Sequence, residues 1–291
     1  MGLDINSVHF LIAAQKKGVN FSEVLTIGRQ DLNVFPAKMQ KTLQAAGLPS
    51  DAFAPGAPDT PFAEPVFKSL GAKRVYSMDM SKFEGADFIH DLNQPIPADL
   101  RERFDIVLDG GTLEHVFNFP VALKNCMEMV KVSGRLILHT SANNYCGHGF
   151  YQFSPELFYS ALSPENGFEM ERMVVHMVGP YGRWHEVANP QAIRGRVEVL
   201  TFYPLQMLVM ARRTQAVPIF STPPQQSDYT PRWQETGTSD EVALTHPPAR
   251  PKLAKLLPGV ARLFHVIKMG FTLYKRESLW NRKCFRPVRK Q

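Results

Sequence analysis

Four short apolar runs punctuate the first half of the chain, and each stops at a glycine or a polar turn. Residues 24 to 27 end at Gly28, residues 74 to 78 end at Asp79, residues 105 to 108 run into Asp109-Gly110-Gly111, and residues 134 to 140 form the fourth. A short, almost continuous apolar run closed in this way is how a strand buried on both faces of a parallel sheet reads. Between the last two runs, residues 120 to 132 carry Val121, Leu123, Cys126, Met127 and Val130 at mostly helical intervals, which predicts a crossover helix. Strand, turn, helix and strand in succession predict an α/β fold: a Rossmann-like, mostly parallel sheet with helices on both faces.

Past residue 140 the pattern changes. Ser154-Pro155-Glu156 predicts a helix start, with Ser154 as cap and Pro155 at the first helical position. Residues 170 to 178 and 199 to 211 read as two more strands, joined by a polar loop holding Tyr181, Arg183, Trp184 and His185. They predict an antiparallel hairpin at one sheet edge. Residues 215 to 251 are rich in Pro, Ser, Thr and Gln with little apolar periodicity, and read as a linker. Helical spacing returns at Val260, Leu263, Phe264, Ile267, Phe271 and Tyr274, with Arg262, Lys268, Lys275 and Arg276 largely on the other side. The expected layout is a main domain over 1–213 with an insertion at about 33–70, a linker over 214–251 and a basic amphipathic tail over 252–291.

Composition adds three points. The 291 residues are 44% hydrophobic, enough to bury a core. The net charge of +6 is unevenly placed: residues 250 to 291 hold twelve Lys or Arg against Glu277 alone, while the rest of the chain is net negative. The basic character therefore belongs to the tail and says nothing of the main domain's ligand. Cys126, Cys146 and Cys284 form no CxxC pair, which speaks against a disulfide framework or a structural zinc site and for a reducing compartment. The first residues carry Asp4 and only a short apolar run, unlike a signal peptide, and no stretch nears the ~20 apolar residues that span a bilayer. A cytoplasmic protein is expected.

In an open α/β sheet, ligands bind beyond the carboxyl ends of the strands. Those ends hold Gly28-Arg29-Gln30, Asp79 with Met80, Asp91-Leu92-Asn93, Asp109-Gly110-Gly111 and residues 140 to 143. An acid after the second strand can accept hydrogen bonds from both ribose hydroxyls, which suits Asp79. Asp91 can receive the exocyclic amine of an adenine ring, with the Leu92 backbone NH beside it. Gly110 and Gly111 lack a β-carbon and admit close approach of a ligand. The plainer alternatives are that Asp79 caps a helix and that residues 91 to 95 are only a turn.

Taken in order, these segments resemble class I S-adenosylmethionine-dependent methyltransferases over roughly residues 20 to 213. The run Phe104-Asp105-Ile106-Val107-Leu108-Asp109-Gly110-Gly111-Thr112-Leu113-Glu114-His115 is similar to that family's fourth motif, an FD-apolar strand followed by a loop and an LEH-like helix start. Ala86-Asp87-Phe88-Ile89-His90-Asp91-Leu92 resembles the adenine-contacting motif, and Gly134-Arg135-Leu136-Ile137-Leu138 the fifth strand. The resemblance implies S-adenosylmethionine as cofactor, held by Gly28, Arg29, Gln30, Asp79, Met80, Asp91, Leu92, Asp109, Gly110 and Gly111. It departs from the family at the first motif. Where that motif reads acid-x-Gly-x-Gly-x-Gly, this chain has Thr26-Ile27-Gly28-Arg29-Gln30-Asp31-Leu32. Some 30 residues beyond the ~20 of a dinucleotide-binding unit also separate Gly28 from Asp79.

Methyl transfer from a sulfonium needs alignment and water exclusion, and a base only where the acceptor carries a proton of high pKa. Glu114, His115, His148 and Tyr151 are the candidates, with His148 first, because Gly147 and Gly149 let its loop take unusual angles; His115 suits a helix start better. Trp184 and His185 are further candidates to face the acceptor. No metal cluster is expected, since Glu114 and His115 are adjacent and do not chelate from one helix face. The expected function is methyl transfer to a small-molecule or glycan acceptor at oxygen. Against it stand a catalytically silent binding module and a nucleic-acid methyltransferase. A nicotinamide dehydrogenase ranks lower, because Arg29-Gln30-Asp31 puts an acid where two phosphates would sit. For the tail, three partners stay open: its own domain or a second subunit, nucleic acid, and an anionic membrane surface, where each Lys or Arg contributes about 1 kcal/mol.

Overall fold

The computed structural model describes residues 2–58, 60–179, 182–227 and 258–290. The chain opens with β1 (Gly2–Leu3) and α1 (Ile5–Lys16), whose first turn is capped by Asp4 accepting from the Ser7 backbone NH at 2.8 Å. Then come β2 (Glu23–Ile27), β3 (Asp31–Leu32), α2 (Pro36–Ala45), α3 (Glu64–Ser69), β4 (Arg74–Asp79), β5 (Phe88–Ile89), β6 (Phe104–Asp109) and α4 (Phe119–Met129). The second half holds β7 (Val130–Asn143), α5 (Pro155–Ala161), β8 (Phe168–Met177), β9 (Trp184–Val187), α6 (Pro190–Ile193), β10 (Leu205–Arg213), α7 (Pro258–Arg276) and β11 (Phe285–Val288). Ser154 caps α5 and Pro155 opens it, as the sequence predicts.

Nine strands form one sheet in the order β5-β4-β2-β6-β7-β10-β8-β9-β11. The pairs from β5 to β7 are parallel, and those from β7 to β11 antiparallel. Only β9 and β10 therefore run against the other strands, and the sheet is mostly parallel, as expected.

Side chains of successive strand residues fall on opposite faces. In β6, Val107 joins one core cluster with Leu25, Leu136, Leu138 and the apolar side of α4 and α5. Its neighbours Ile106 and Leu108 join a second cluster with Val24, Ile137 and residues of α1, α2 and α3. Both faces are covered, which is why the strands read as continuous apolar runs.

Three expectations need correction. The crossover helix stops at Met129, and the β-branched Val130 and Val132 already belong to β7, with a register shift where Ser133 takes φ +71°. The last long strand starts at Leu205, because Pro204 before it has no NH to give the ladder. Its β10 is not at the edge but lies between β7 and β8, and the loop holding Trp184 and His185 contains β9. Within the basic tail, β11 pairs antiparallel with β9, so this part of the tail packs on its own domain, one of the partners the sequence leaves open. The start of the expected linker also packs: Ile219 is buried and the Phe220 NH donates to Asn166 Oδ1 at 2.8 Å. The rest of that linker, residues 228–251, and Tyr181 lie outside the described residues.

Candidate active site

The carboxyl ends of β2, β4, β6 and β7 come together, as the sequence reading requires. Gly28 leaves β2 at φ +70°, and its NH donates to Met78 O at 2.7 Å, tying it to the end of β4. Thr112, after β6, donates its hydroxyl to Ile27 O at 2.8 Å. Gln30 is buried, and its Nε2 donates to Ile27 O at 2.6 Å and to Gly28 O at 3.2 Å. Its Oε1 has no partner among the described residues, and it lies where a β-carbon on Gly110 would stand. Gly110 is thus glycine because the Gln30 amide packs on its backbone. The sequence reading assigned that space to a ligand. Arg29 pairs with Glu64 at 2.7 Å, donates to Glu84 O at 2.8 Å and stacks 3.7 Å over the Phe62 ring. Together Gln30 and Arg29 fill the ground between the ends of β2, β4 and β6.

Further along this edge, Asp79 is half-buried, accepts from the Met80 NH at 2.6 Å, and is followed in the chain by the exposed Met80 side chain. Asp91 accepts from the Asn93 backbone at 2.9 Å and from its side chain at 2.7 Å. Those two bonds hold the Asp91 carboxyl below the usual carboxylate range. The turn reading of residues 91 to 95 is thus realised, and the Leu92 side chain is buried in the core.

On the other side of Gly110 and Gly111 opens a cleft of about 840 Å³, walled by Asp4, Lys38, Glu114, His139, Tyr145 and His148 among others. Glu114 sits in a short 3-10 turn, Leu113–His115, rather than at an α-helix start. It is 2% exposed, and its carboxylate accepts from the Thr140 hydroxyl at 3.1 Å and faces His148 Nε2 at 3.9 Å. The loop after β7 folds back onto this turn: the Phe150 NH donates to Glu114 O at 2.8 Å and the Tyr151 NH at 3.2 Å. Gly149 makes that approach possible, since a β-carbon there would meet Glu114 O at 2.7 Å. The His148 ring packs edge-on against both His115, at 5.2 Å between centroids, and Tyr145, at 5.3 Å.

Asp109 is fully buried, and its carboxyl is pushed well above the ordinary range, first by burial and then by the charge of Glu114. Burial, with Asp4 and Glu114 nearby, raises the Tyr145 phenol to about 12, so it stays protonated in neutral solution. Glu114, His115 and His148 each offer one ligand atom, all within 4.8 Å of one another. That donor set suits a borderline divalent ion, and it forms through the 3-10 turn and the 145–149 loop, not through one helix face.

His139 is the residue that sequence reasoning missed. It is 5% exposed, lines the cleft, and its Nδ1 lies 2.8 Å from Ser7 Oγ, which in turn donates to Asp4 Oδ1 at 2.9 Å. With the Ser7 proton on Asp4, His139 carries its own proton on Nδ1 and leaves Nε2 as a bare acceptor. Nε2 has no partner at full hydrogen-bond distance among the described residues, the Gln206 side chain stands near the ring, and burial keeps the ring neutral. A signal existed: His139 is a titratable residue inside the otherwise apolar run of β7.

Three other candidates are engaged elsewhere. The Tyr151 hydroxyl donates to Phe117 O at 2.7 Å and its ring stacks on Phe153. Trp184 is fully buried against Phe10, with its Nε1 donating to Asn6 Oδ1 at 3.2 Å, and so packs the core rather than facing an acceptor. His185 pairs with Pro287 of β11 in the edge ladder.

No protein-family model matches the chain, and no curated protein is similar to it. Among solved structures, it is similar to the trans-methyltransferase CalH in complex with SAH at 13% identity, over 72% of this chain and 56% of that one, with a TM-score of 0.39. It is also similar to the 1,6-didemethyltoxoflavin-N1-methyltransferase of Burkholderia thailandensis at 13% identity, over 72% and 80% of the two chains, with a TM-score of 0.37. A third is the YcgJ protein of Bacillus subtilis, at 11% identity over 72% and 100%, with a TM-score of 0.37. The sheet itself assigns the fold: five parallel strands ordered β5-β4-β2-β6-β7, continued by β10, β8, β9 and β11, form the Rossmann-like, mostly parallel α/β sheet expected from the sequence.

Proposed function

We propose that the chain transfers a methyl group from S-adenosylmethionine to a hydroxyl of a small-molecule or glycan acceptor. One observation carries this reading: the cleft that meets Gly110 and Gly111 on one side is walled on the other by the Glu114–His148 pair and by His139. The cofactor supplies a methyl group on a sulfonium. The residues present fit such a group in part. Asp79 has carboxylate capacity left for ribose hydroxyls, and the exposed Met80 next to it offers apolar surface. The fit requires the Gln30 side chain to leave Gly110, a rotation of a flexible amide rather than a backbone movement.

The chain's own groups do the rest. Loop 145–151, clamped over Glu114, walls the acceptor site. His148 Nε2 takes the proton from the acceptor hydroxyl, the Glu114 carboxylate that faces this same nitrogen stabilises the imidazolium that forms, and His139 Nε2 holds a second hydroxyl in place. In a methyl-transfer assay over saccharide, phenolic and carboxylate acceptors, His148→Gln and Glu114→Gln are expected to lower kcat by roughly 10²- to 10⁴-fold, leaving cofactor affinity unchanged. Chelators are expected to leave the rate alone, and a loss of rate with chelator would reassign Glu114, His115 and His148 to a metal ion. A folded protein that binds the cofactor yet methylates nothing across the panel would sink the proposal.

A second reading, a silent binding module, is favoured by the packing of Gln30 on Gly110 and by the lashing of Arg29 to Glu64 and Glu84. Failure to bind S-adenosylmethionine at all would select it.

A further inference from the structure

Helix α7 presents a row of exposed apolar side chains. Leu263, Phe264, Ile267, Phe271 and Tyr274 each leave half or more of their surface exposed. At 100° per residue these five fall within an arc of about 100°, a continuous apolar stripe. Lys275 and Lys268 follow along one border of the stripe, both exposed. The helix carries four Lys or Arg and no acidic residue. No helix among the described residues is long and apolar enough to cross a membrane.

The helix is also not isolated from the candidate active site. Just past its end, the Glu277 carbonyl accepts from the Leu200 NH. Leu200 begins a loop whose Phe202 and Tyr203 are 97% and 66% exposed, and Trp280 beyond the helix is 66% exposed. That loop is held in turn by the loop after β7: Asn144 Nδ2 donates to Thr201 O at 2.7 Å and to Tyr203 O at 3.2 Å. Asn144 immediately precedes Tyr145, which walls the cleft. A second apolar patch thus adjoins the helix end, on the side of the acceptor loop.

We infer that α7 and the 200–203 loop form one docking surface for an anionic lipid bilayer, on which the helix lies in the plane of the headgroups with its apolar stripe down. Charge selects this occupant over the others. A second copy packed stripe to stripe would bring two helices together whose charges are all positive, with no acid to pair them. Nucleic acid would satisfy the lysines but leave Phe264, Ile267 and Phe271 in water. A bilayer with anionic headgroups takes both: the stripe enters the acyl boundary, the flanking lysines meet phosphates, and Tyr274 and Trp280 sit where aromatic residues favour the interface. Docked so, the acceptor loop lies next to the membrane. This inference does not depend on the methyl-transfer reading, because its readout needs no cofactor.

The test is co-sedimentation of the full chain with vesicles of phosphatidylcholine, with and without one third phosphatidylglycerol. The expected result is binding to the anionic vesicles that is at least about tenfold tighter than to neutral ones and that weakens with salt. Phe264→Glu and Phe271→Glu, both at exposed positions and so compatible with an unchanged fold by circular dichroism, are expected to lower that binding about tenfold or more. Phe202→Ser is expected to lower it severalfold. Binding indifferent to these variants or to lipid charge would overturn the inference. So would the absence of sedimentation, and so would a dimer in light scattering or retention on nucleic acid that the same variants abolish.

Discussion

Gln30 governs the candidate site more than any other single side chain. The family pattern that the chain resembles has a glycine at this position, and here an amide fills the space that the missing side chain would open. Removing it gives up the bonds to Ile27 O and Gly28 O, which contribute about 1 kcal/mol each. In exchange the passage beside Gly110 opens. Gln30→Ala is therefore expected to be slightly less stable, and to bind S-adenosylmethionine about tenfold more tightly, one such hydrogen bond being worth close to that factor. Titration calorimetry on both proteins checks it, and equal affinities would mean that Gln30 is no obstacle. At this scale the sequence was informative about which strand ends carry polar residues, and much less about what they touch. Asp79, Glu114 and His148 stand at the expected edge. Tyr151 stands there by its backbone but its hydroxyl is engaged with Phe117 O, and Trp184 packs in the core, because a hydroxyl or an indole seen in sequence says nothing of the carbonyl or side chain it meets across the fold. His139 escaped notice because its partners, Ser7 and Asp4, lie 132 and 135 positions away.

Among the elements, the parallel core from β2 to β7 was legible because burial on both faces leaves unbroken apolar runs. The edge was not. β9 has four residues and β11 four, and β11 contains Pro287 beside the charged Arg286, so neither shows a period. Only the long-range pairing of Phe285 with Val187 reveals them. The basic run after α7 therefore has two roles: it contributes positive charge, and it closes one edge of the sheet. Phe285 is 1% exposed, so Phe285→Ala is expected to cost about 3–5 kcal/mol, read as a lower midpoint in urea unfolding. A change below about 0.5 kcal/mol, the range of ordinary surface positions, would show that β11 is not part of the cooperative sheet.

For the molecule as a whole, the buried pair His139 and His176, stacked at 5.8 Å, links stability to pH. Burial lowers His139 below the usual imidazole value and lowers His176 to about 4. Unfolded imidazoles take up a proton near 6.5, so between that pH and about 4 the unfolded chain binds more protons than the folded one. Stability is then fully present above pH 6.5 and is lost as pH falls toward 4, by up to about 3 kcal/mol for His176. Asp4, whose carboxyl burial raises but His139 and the Ser7 NH lower further, adds a loss of the same sign at more acid pH. His176→Phe is expected to flatten the fall of melting temperature between pH 6.5 and 4, and an unchanged slope would show that the pair is not the source.

The most direct measurement is calorimetric titration of the intact chain with S-adenosylmethionine and with its demethylated product, using Asp79→Ala as control. The account predicts micromolar binding by the wild-type chain, weakened at least about tenfold in the variant, as loss of a hydrogen-bonded charged group implies, with its circular dichroism unchanged. A folded wild-type chain that binds neither compound would contradict it, and would mean that Gln30 and Arg29 close the site for good.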